Sequence, residues 1–496
     1  GYYQTALALK PDWAECLNNL GLVLLGLGRR EEAIPHFSEA VKVAPGFVES
    51  LVNLGNALYL GGQVADAEAC FRQALSMQPA HPGAHNALGV VLKAQGNAAG
   101  AAVEFESARP LAPALLEARN NMGNTLRALG RIEEAVQHYR MALEQNPNNA
   151  GTWSNLGSAL QQRGDVEGAL LAFERALAIA PDFPEAHWNR SLAWLLQGDY
   201  ARGWPEYEWG IPAGARPLTP RAMPVWGGEP LPGKTLLVSA EQGFGDTIQF
   251  ARFLREAKAR VGKLVLECHP ALMPLLAGCA GVDQVLASAC PDQQLPPISA
   301  RVPMMSLPGL FGVTLASLPG PYPYVTPDAA RMEHLKPVIP LGGFKVGLVW
   351  AGAASHQDDR KRSLEASQLA PLGHVAGASF YSLQLGRDPA EHAKAGFSIT
   401  DLAPGMRDFA DTAAALAGLD LLICVDTAVA HLAGAMGKPV WVLLPFAPDW
   451  RWGVTGESTP WYPSARLFRQ DSRADWYEVM GRVVAALISR IQSPMA

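Results

Sequence analysis

The stretch NLGLVLLGLGRREEAIPHFSEAVKVAP, residues 19–45, decides the fold of the first part of the chain because its pattern recurs along the sequence. A small residue, a turn glycine, an alanine, an aromatic and a proline return at intervals of 34 residues. Two of these series are Gly21, Gly55, Gly89, Gly123 and Gly157, and Phe37, Phe71, Phe105, Tyr139 and Phe173. Self-similarity at this period is typical of a solenoid built from helix pairs.

Each recurring residue type has a mechanical reason. The small residues let two antiparallel helices approach closely, the aromatic fills the gap to the neighbouring unit, and the proline stops the second helix. The pattern resembles the tetratricopeptide (TPR) repeat family over about residues 1–210. The resemblance implies an α-solenoid, a TPR superhelix, whose first repeat is truncated. Tyr3, Ala6 and Pro11 fit the second helix of an earlier unit, so we expect the natural protein to continue upstream.

Asparagines recur two positions before the small residue of each repeat. They are Asn19, Asn53, Asn121, Asn155 and Asn189, and Ala87 interrupts the series. Amides at this phase are expected to line the concave face, where each can donate to and accept from an extended peptide backbone. The row resembles the asparagine ladder of the protein O-GlcNAc transferases, which implies an acceptor polypeptide as partner. The alternative is a hydrogen bond inside each repeat.

A Pro- and Gly-rich linker, residues 211–234, follows the repeat array of residues 1–210. Beyond it, short apolar strands alternate with helical stretches in two successive runs. We therefore predict an N-terminal Rossmann-like half over residues 235–341, on the acceptor side, and a C-terminal half over residues 342–496, on the donor side. Two α/β halves in series predict a cleft between them.

The first run opens with a strand, a glycine turn and a helix. Gln242, Gly243 and Gly245 form the turn, and Asp246 follows it. The glycines permit a tight turn and close backbone approach, so we place the acceptor loop there. The turn lacks the third glycine of a dinucleotide fingerprint, so no NAD site is predicted.

The segment DTAVAHLAGAMGKP, residues 426–439, carries a second resemblance. It is similar to the nucleotide-sugar signature of heptosyltransferase-like glycosyltransferases of family 9, except that Ala428 replaces the usual glycine. Gly245 and Asp246 stand where those enzymes carry Gly-Asp. The resemblance implies a GT-B fold and a nucleotide-sugar co-substrate, with no metal and no other cofactor. It also implies that Asp246 is the general base of an inverting transfer; a helix N-cap role is compatible with this.

The same segment predicts the donor diphosphate site. Asp426, Thr427, Ala428 and Val429 lie where a strand ends and a helix begins, and one of the first two is expected to cap the helix. Free N–H groups and the positive end of the helix dipole suit a diphosphate. His431, on the same turn, is expected to bind phosphate or sugar; the alternative is a packing histidine.

Further donor contacts are predicted in three loops of the second run. Gly352 follows a strand, and Arg360 and Lys361 are candidates to neutralise the leaving diphosphate, unless their loop is solvated surface. Gln384 ends another strand and is expected to contact the ribose or base. The aromatic residues of the stretch 446–452 either wall the base pocket or stabilise the domain.

Composition narrows the class of protein. The formal net charge of -6 argues against a uniformly basic nucleic-acid surface. Six scattered cysteines without a CxxC pair indicate reduced thiols and a cytoplasmic location. No apolar run reaches the roughly 20 residues that a transmembrane helix needs.

These features predict a glycosyltransferase, of hexosyl or heptosyl type, that transfers a sugar to a polypeptide held in the TPR groove. One alternative is a transferase acting on lipopolysaccharide or another glycan. Another is a non-catalytic TPR adaptor with a degenerate transferase domain. A third is a two-Rossmann epimerase or phosphorylase.

Overall fold

The computed structural model describes residues 1–111, 116–318, 320, 323–335, 338–339, 342–352, 359–473 and 475–492, with backbone alone at 109–111, 116, 335 and 360. Two compact units divide the chain, Gly1–Ala186 and His187–Ala496. Among the described residues, no helix combines the length and the apolar character needed to cross a membrane.

The first unit consists of α-helices that pack as successive pairs. Their bounds are α1 (Tyr2–Leu9), α2 (Ala14–Gly26), α3 (Arg30–Val43), α4 (Val48–Leu60), α5 (Val64–Met77), α6 (Pro82–Ala94), α7 (Ala98–Leu111), α8 (Leu116–Ala128), α9 (Ile132–Gln145), α10 (Ala150–Arg163) and α11 (Val166–Ile179), and α12 (Pro184–Gln197) continues into the second unit. The glycines between paired helices have positive φ, which favours glycine over any residue with a side chain. They are Gly28, Gly62, Gly96, Gly130, Gly164 and Gly198.

Each helix pair is held together by an aromatic ring on a glycine. A Cβ atom on Gly21 would lie 2.6 Å from Cε1 of Phe37. The same contact recurs between Gly55 and Phe71, Gly89 and Phe105, Gly123 and Tyr139, and Gly157 and Phe173. The aromatic therefore fills a gap within its own repeat, whereas the sequence pattern places it in the gap to the neighbouring unit. Phe37 also shares a buried cluster with Ala57 of the next repeat.

The second unit contains two parallel sheets. The first has the order β3-β2-β1-β4, from β1 (Leu231–Ser239), β2 (Val261–Cys268), β3 (Gln284–Ala287) and β4 (Ala300–Pro303). The second has the order β10-β9-β8-β5-β6-β7, from β5 (Phe344–Val349), β6 (Ala378–Ser382), β7 (Thr400–Asp401), β8 (Leu421–Val425), β9 (Val440–Leu444) and β10 (Ala465–Arg469). Strands β8 and β9 are buried along their whole length, as expected for parallel strands covered on both faces.

The helices of the second unit are α13 (Tyr200–Tyr207), α14 (Phe244–Phe250), α15 (Leu254–Ala259), α16 (Met273–Leu276), α17 (Leu307–Leu310), α18 (Ala329–Leu335), α19 (Asp359–Arg362), α20 (Phe409–Ala417), α21 (Ala428–Ala435) and α22 (Trp476–Gln492). The strand order reverses between β1 and β4 and again between β5 and β8. Ligands of open α/β sheets bind at the carboxyl ends of strands beside such a reversal. The predicted fold class, a TPR solenoid followed by a GT-B-like α/β fold, is confirmed.

The boundary between the compact units precedes residue 210, where the sequence places the end of the repeats. Aromatic packing in the second unit explains this difference. Trp204 of α13 is buried and packs edge-on against Phe250 and Trp450, with ring centroids 6.2 and 5.5 Å away. The Tyr200 hydroxyl accepts a hydrogen bond from the Trp461 indole N–H at 2.7 Å. Helix α13 thus contributes to the core of the α/β part.

The glycine–ring contact generates a stability prediction. Replacing Gly55 with alanine places a methyl group against the Phe71 ring, and we expect a loss of about 1–3 kcal/mol in the free energy of unfolding. Hydrogen exchange of α4 and α5 should accelerate accordingly. Gly26→Ala is the matched control, because nothing lies within 4 Å of that Cβ position. Equal protection in the two variants would contradict the packing described for the repeats.

Candidate active site

The two motifs singled out in the sequence meet where α14 packs against α21. A Cβ atom on Gly245 would lie 2.7 Å from Cδ2 of His431 and 3.4 Å from the Ala428 Cα. Gly245 is therefore required for the close approach of the two helices. Neither Gly243, whose φ is −67°, nor Gly245 has a positive φ, so the close approach, and not a left-handed turn, explains the second glycine.

Asp246 lies in the first turn of α14, with 22% of its side chain exposed. Its Oδ2 accepts a hydrogen bond from the Gly243 N–H at 3.0 Å, so the carboxylate caps the start of the helix. Its Oδ1 forms an ion pair with Nη2 of Arg451, which belongs to the C-terminal half. Sequence reasoning did not identify this partner. The stretch 446–452 is distinctive in the sequence for its aromatics, and no local sequence pattern links Arg451 to Asp246, 205 positions away.

The start of α21 is uncapped. Thr427 occupies the N-cap position with an extended backbone, but its side chain makes no capping hydrogen bond. The expected cap is therefore wrong: the Thr427 hydroxyl is buried and has no hydrogen-bond partner among the described residues. The first helical bonds to the Thr427 carbonyl come from Ala430 and His431. The N–H groups of Ala428 and Val429 thus precede the helical ladder, at the positive end of the helix dipole.

His431 is almost fully buried, with 4% of the residue exposed. Its ring stacks on Trp452 with centroids 5.3 Å apart, and its Nδ1 lies 2.9 Å from the Tyr462 hydroxyl oxygen. Its Nε2 lies 3.9 Å from Oδ1 of Asp426, beyond hydrogen-bonding distance. Burial, aided by the positive charge of Arg451, lowers the pKa of His431 well below its ordinary value. This neutral ring packs the site, and its contact with phosphate or sugar stays a prediction.

Asp426 directly follows β8, beside the reversal of strand order. Burial, reinforced by the negative charge of Asp449, raises the pKa of the Asp426 carboxyl to about 6. The positive charge of Arg362 offsets part of this rise. A carboxyl group whose pKa is raised by burial at the end of a strand is typical of a functional site.

Gly352 follows β5 on the other side of the same reversal. A Cβ atom there would lie 2.7 Å from Nη2 of Arg362 and 2.7 Å from Oδ1 of Asp359, so glycine lets both side chains approach the end of the strand. Lys361 is exposed, and the Arg360 side chain lies outside the described residues. Arg362 is thus the member of this basic run that the structure places at the strand end.

Gln384 supports the end of β5. Its Oε1 accepts hydrogen bonds from the N–H groups of Trp350 and Ala351 at 3.1 and 2.9 Å. Its Nε2 donates to the carbonyls of Ala351 and Leu385 at 3.0 and 3.2 Å. Backbone groups thus engage both polar atoms of this amide, and its predicted contact with ribose or base stays a prediction.

A small cleft of about 70 Å³ opens beside Gln384, at the carboxyl ends of β5, β6 and β7. Trp350 and His392 line it, with ring centroids 5.4 Å apart. Arg387 and Asp401 add charged groups. An aromatic wall with a few polar groups is a common setting for a small organic ligand. The aromatics of residues 446–452 are not among its lining residues, and Trp450 packs on α13 instead.

The linker is anchored to the first sheet. Gln242 donates from Nε2 to the Ala215 carbonyl at 2.8 Å. Arg216 is fully buried and binds Glu241, just beyond β1, at 2.8 Å and Glu208 at 2.9 Å. These ion pairs, which no local pattern indicated, tie the linker to the carboxyl end of β1. Gln242 therefore has a structural partner, and its place in an acceptor loop stays a prediction.

The asparagine ladder forms hydrogen bonds between successive repeats. Nδ2 donates to the Oδ1 of an asparagine 35 residues earlier, from Asn53 to Asn18, from Asn121 to Asn86 and from Asn155 to Asn120, at 2.9, 3.1 and 3.0 Å. This pairing differs from the expected alternative of a bond within each repeat. Each bond uses one hydrogen of the donating amide, and peptide binding stays a prediction. Asn19 is exposed and Asn189 half-buried.

No cluster of three or more histidine, cysteine or acidic side chains suited to a metal ion occurs in the described ranges. The six cysteines are free thiols.

Comparison with protein families separates the same two parts. A TPR repeat model matches residues 123–164 and 158–198, and a tetratricopeptide repeat model matches residues 18–69 and 52–115. The model of glycosyltransferase family 9 (heptosyltransferase) matches residues 382–473.

Protein FlbA of Caulobacter vibrioides is 29% identical over 323 residues, which cover 60% of this chain and 54% of that protein. The chain therefore spans about half the length of this relative.

Among solved structures, the Cut9–Hcn1 hetero-tetramer of the APC/C is 17% identical, with a TM-score of 0.41 over 44% of this chain and 43% of that one. A thermophilic TPR protein of Thermus thermophilus is 22% identical, with a TM-score of 0.33 over 37% and 99%. These sequence matches show that the chain carries tetratricopeptide repeats and, at its C-terminus, a glycosyltransferase family 9 domain.

Proposed function

We propose that this chain transfers a sugar from a nucleotide-diphosphate sugar to a polypeptide held by the repeats. One observation carries the proposal: α14 brings Asp246 to the uncapped start of α21. A carboxylate beside a set of uncapped N–H donors supplies a base on one side and an anion site on the other. These are the two groups that an inverting transfer requires.

The donor diphosphate is placed on the N–H groups of Ala428 and Val429. The orphaned Thr427 hydroxyl provides a further donor, and Arg362 supplies positive charge from the neighbouring strand end. The nucleoside is placed at the mouth of the cleft beside Trp350, because that cleft opens at the same edge of the second sheet. The arrangement explains why this sheet edge retains unpaired polar groups.

In the proposed reaction, Asp246 takes the proton of an acceptor hydroxyl. The hydroxyl oxygen forms a bond to the anomeric carbon of the sugar, and the bond from that carbon to the diphosphate oxygen breaks on the opposite face. The configuration at this carbon is therefore inverted. The start of α21 and Arg362 stabilise the charge that develops on the leaving diphosphate. The free thiols support a cytoplasmic location.

The base assignment predicts the effect of Asp246→Asn. We expect the release of nucleoside diphosphate, screened over ADP-, GDP- and UDP-sugars, to fall by at least about 100-fold. The dissociation constant of the nucleoside diphosphate should change little. Asp182→Asn is the control, because that residue is exposed at a turn of the repeats. Full turnover by the Asp246 variant would remove the assignment.

The acceptor assignment predicts the effect of replacing Asn53, Asn121 and Asn155 together with alanine. Transfer of labelled sugar to protein should fall by about 10-fold or more, because each lost amide contact contributes about 1 kcal/mol. Donor hydrolysis should persist. Asn148→Ala, at an exposed turn position, serves as control. Unchanged labelling of protein, or label found exclusively in protease-resistant lipopolysaccharide, would favour a glycan acceptor.

The raised pKa of Asp426 predicts a pH dependence of stability. Because the folded protein holds this proton more tightly than the unfolded chain, the stabilising contribution of the protonated carboxyl is lost as pH rises through about 6. Asp426→Asn should therefore raise the free energy of unfolding by about 2 kcal/mol at pH 7.5. The difference should shrink as pH falls towards 4. A gain independent of pH in denaturant titrations would contradict this origin, and the exposed Asp182→Asn should show no gain.

A further inference from the structure

Arg451 joins the two Rossmann-like halves at the candidate base. Its Nη2 pairs with Oδ1 of Asp246, and its Nε donates to Oε1 of Gln249 at 2.7 Å, one turn further along α14. Its Nη1 donates to Oδ1 of Asp449 at 2.7 Å. All three guanidinium nitrogens are thus engaged, and 10% of the side chain is exposed. A planar fork with fixed donor directions suits this task better than a lysine ammonium.

The position of Arg451 is itself restrained. The guanidinium carbon lies 4.4 Å from the centroid of the Trp450 ring. Trp450 is buried and packs edge-on against Trp204 and Tyr207 of α13, with centroids 5.5 and 6.4 Å away. Arg451 therefore extends towards α14 from a rigid aromatic cluster, so it can hold another side chain in place.

The consequence concerns the orientation of Asp246. One carboxylate oxygen is held by the Gly243 N–H of its own half, and the other is held by Arg451 of the opposite half. Proton transfer requires the base within about 3 Å of the hydroxyl and correctly directed. The orientation of this carboxylate thus depends on contact between the two halves.

We propose that Arg451 is a positioning residue that holds Asp246 in the orientation needed to accept the acceptor proton. This inference rests on the proposed function of Asp246 as the base. It makes catalytic competence conditional on the two halves being together, because the carboxylate loses one of its two supports when they separate. The competing explanation is that the ion pair merely stabilises the fold.

A double-mutant cycle separates the two explanations. The variants are Arg451→Gln, Arg451→Lys, Asp246→Asn and the double variant Asp246→Asn/Arg451→Gln. Arg466→Gln is the control, because Arg466 is an exposed arginine of the same half, paired with Glu457 at 2.9 Å. Steady-state release of nucleoside diphosphate is measured on the ADP-, GDP- or UDP-sugar that the wild type turns over, and thermal unfolding is followed by circular dichroism.

We expect Arg451→Gln to lower kcat by about 100-fold, the scale of a misplaced catalytic group. The KM for the donor should stay within about two-fold, and Arg451→Lys should recover part of kcat. In the Asp246→Asn background, Arg451→Gln should cause no further loss. Wild-type kcat, a rise in KM alone, or losses that multiply in the double variant would each overturn the inference. If the glutamine variant does not fold, Arg451→Lys carries the same cycle.

A second readout needs no donor. Without its partner in the other half, α14 should lose protection, so amide hydrogen exchange over residues 243–250 should accelerate in Arg451→Gln and not in Arg466→Gln. Unchanged protection would contradict the proposed hold on Asp246. The two proposals fail separately: full turnover by Asp246→Asn removes the base, whereas loss in that variant with full kcat in Arg451→Gln removes this inference alone.

Discussion

The close approach of α14 to α21 is the constraint on which the rest of the site depends. Gly245 has no room for a side chain, since a Cβ atom would lie 2.7 Å from His431. This contact sets the distance between Asp246 and the start of α21. It also accounts for the burial and the lowered pKa of His431, because the ring packs in this helix–helix contact. A larger residue at position 245 would push α14 away from α21. The proposed base, Asp246, would then lie further from the proposed diphosphate site at the start of α21.

The repeats and the α/β part differ in how far local backbone, packing and hydrogen-bonding preferences are satisfied. In the repeats, turn glycines adopt positive φ, aromatic rings cover helix glycines and asparagines pair across repeats, so each local choice agrees with the fold. At the end of β8, several of these preferences are unmet at once. Among the described residues, the Thr427 hydroxyl has no hydrogen-bond partner and no side chain caps α21, and the pKa of Asp426 is raised. Several unfavourable features at one strand end indicate a site kept for binding rather than for stability.

Periodicity made the fold predictable, because spacing of 34 residues and strand–turn–helix order are local properties that a sequence displays directly. The pair of turns around Gly245 and Asp426 was also predictable from the motifs. The partners of these turns were not. Arg451 pairs with Asp246, which lies 205 positions away in the sequence. Arg216 is buried by the fold of the linker, and Gln384 hydrogen-bonds with backbone groups. Such contacts depend on tertiary packing, which leaves no local pattern.

The central claim is that a donor diphosphate binds the start of α21 facing Asp246. A crystal structure of the chain, soaked with whichever of ADP, GDP or UDP binds most tightly in calorimetry, tests this directly. The account predicts phosphate oxygens within hydrogen-bonding distance of the Ala428 and Val429 N–H groups and of the Thr427 hydroxyl, with the nucleoside beside Trp350. Diphosphate density elsewhere on the chain, or an empty α21 terminus at a saturating concentration, would contradict it.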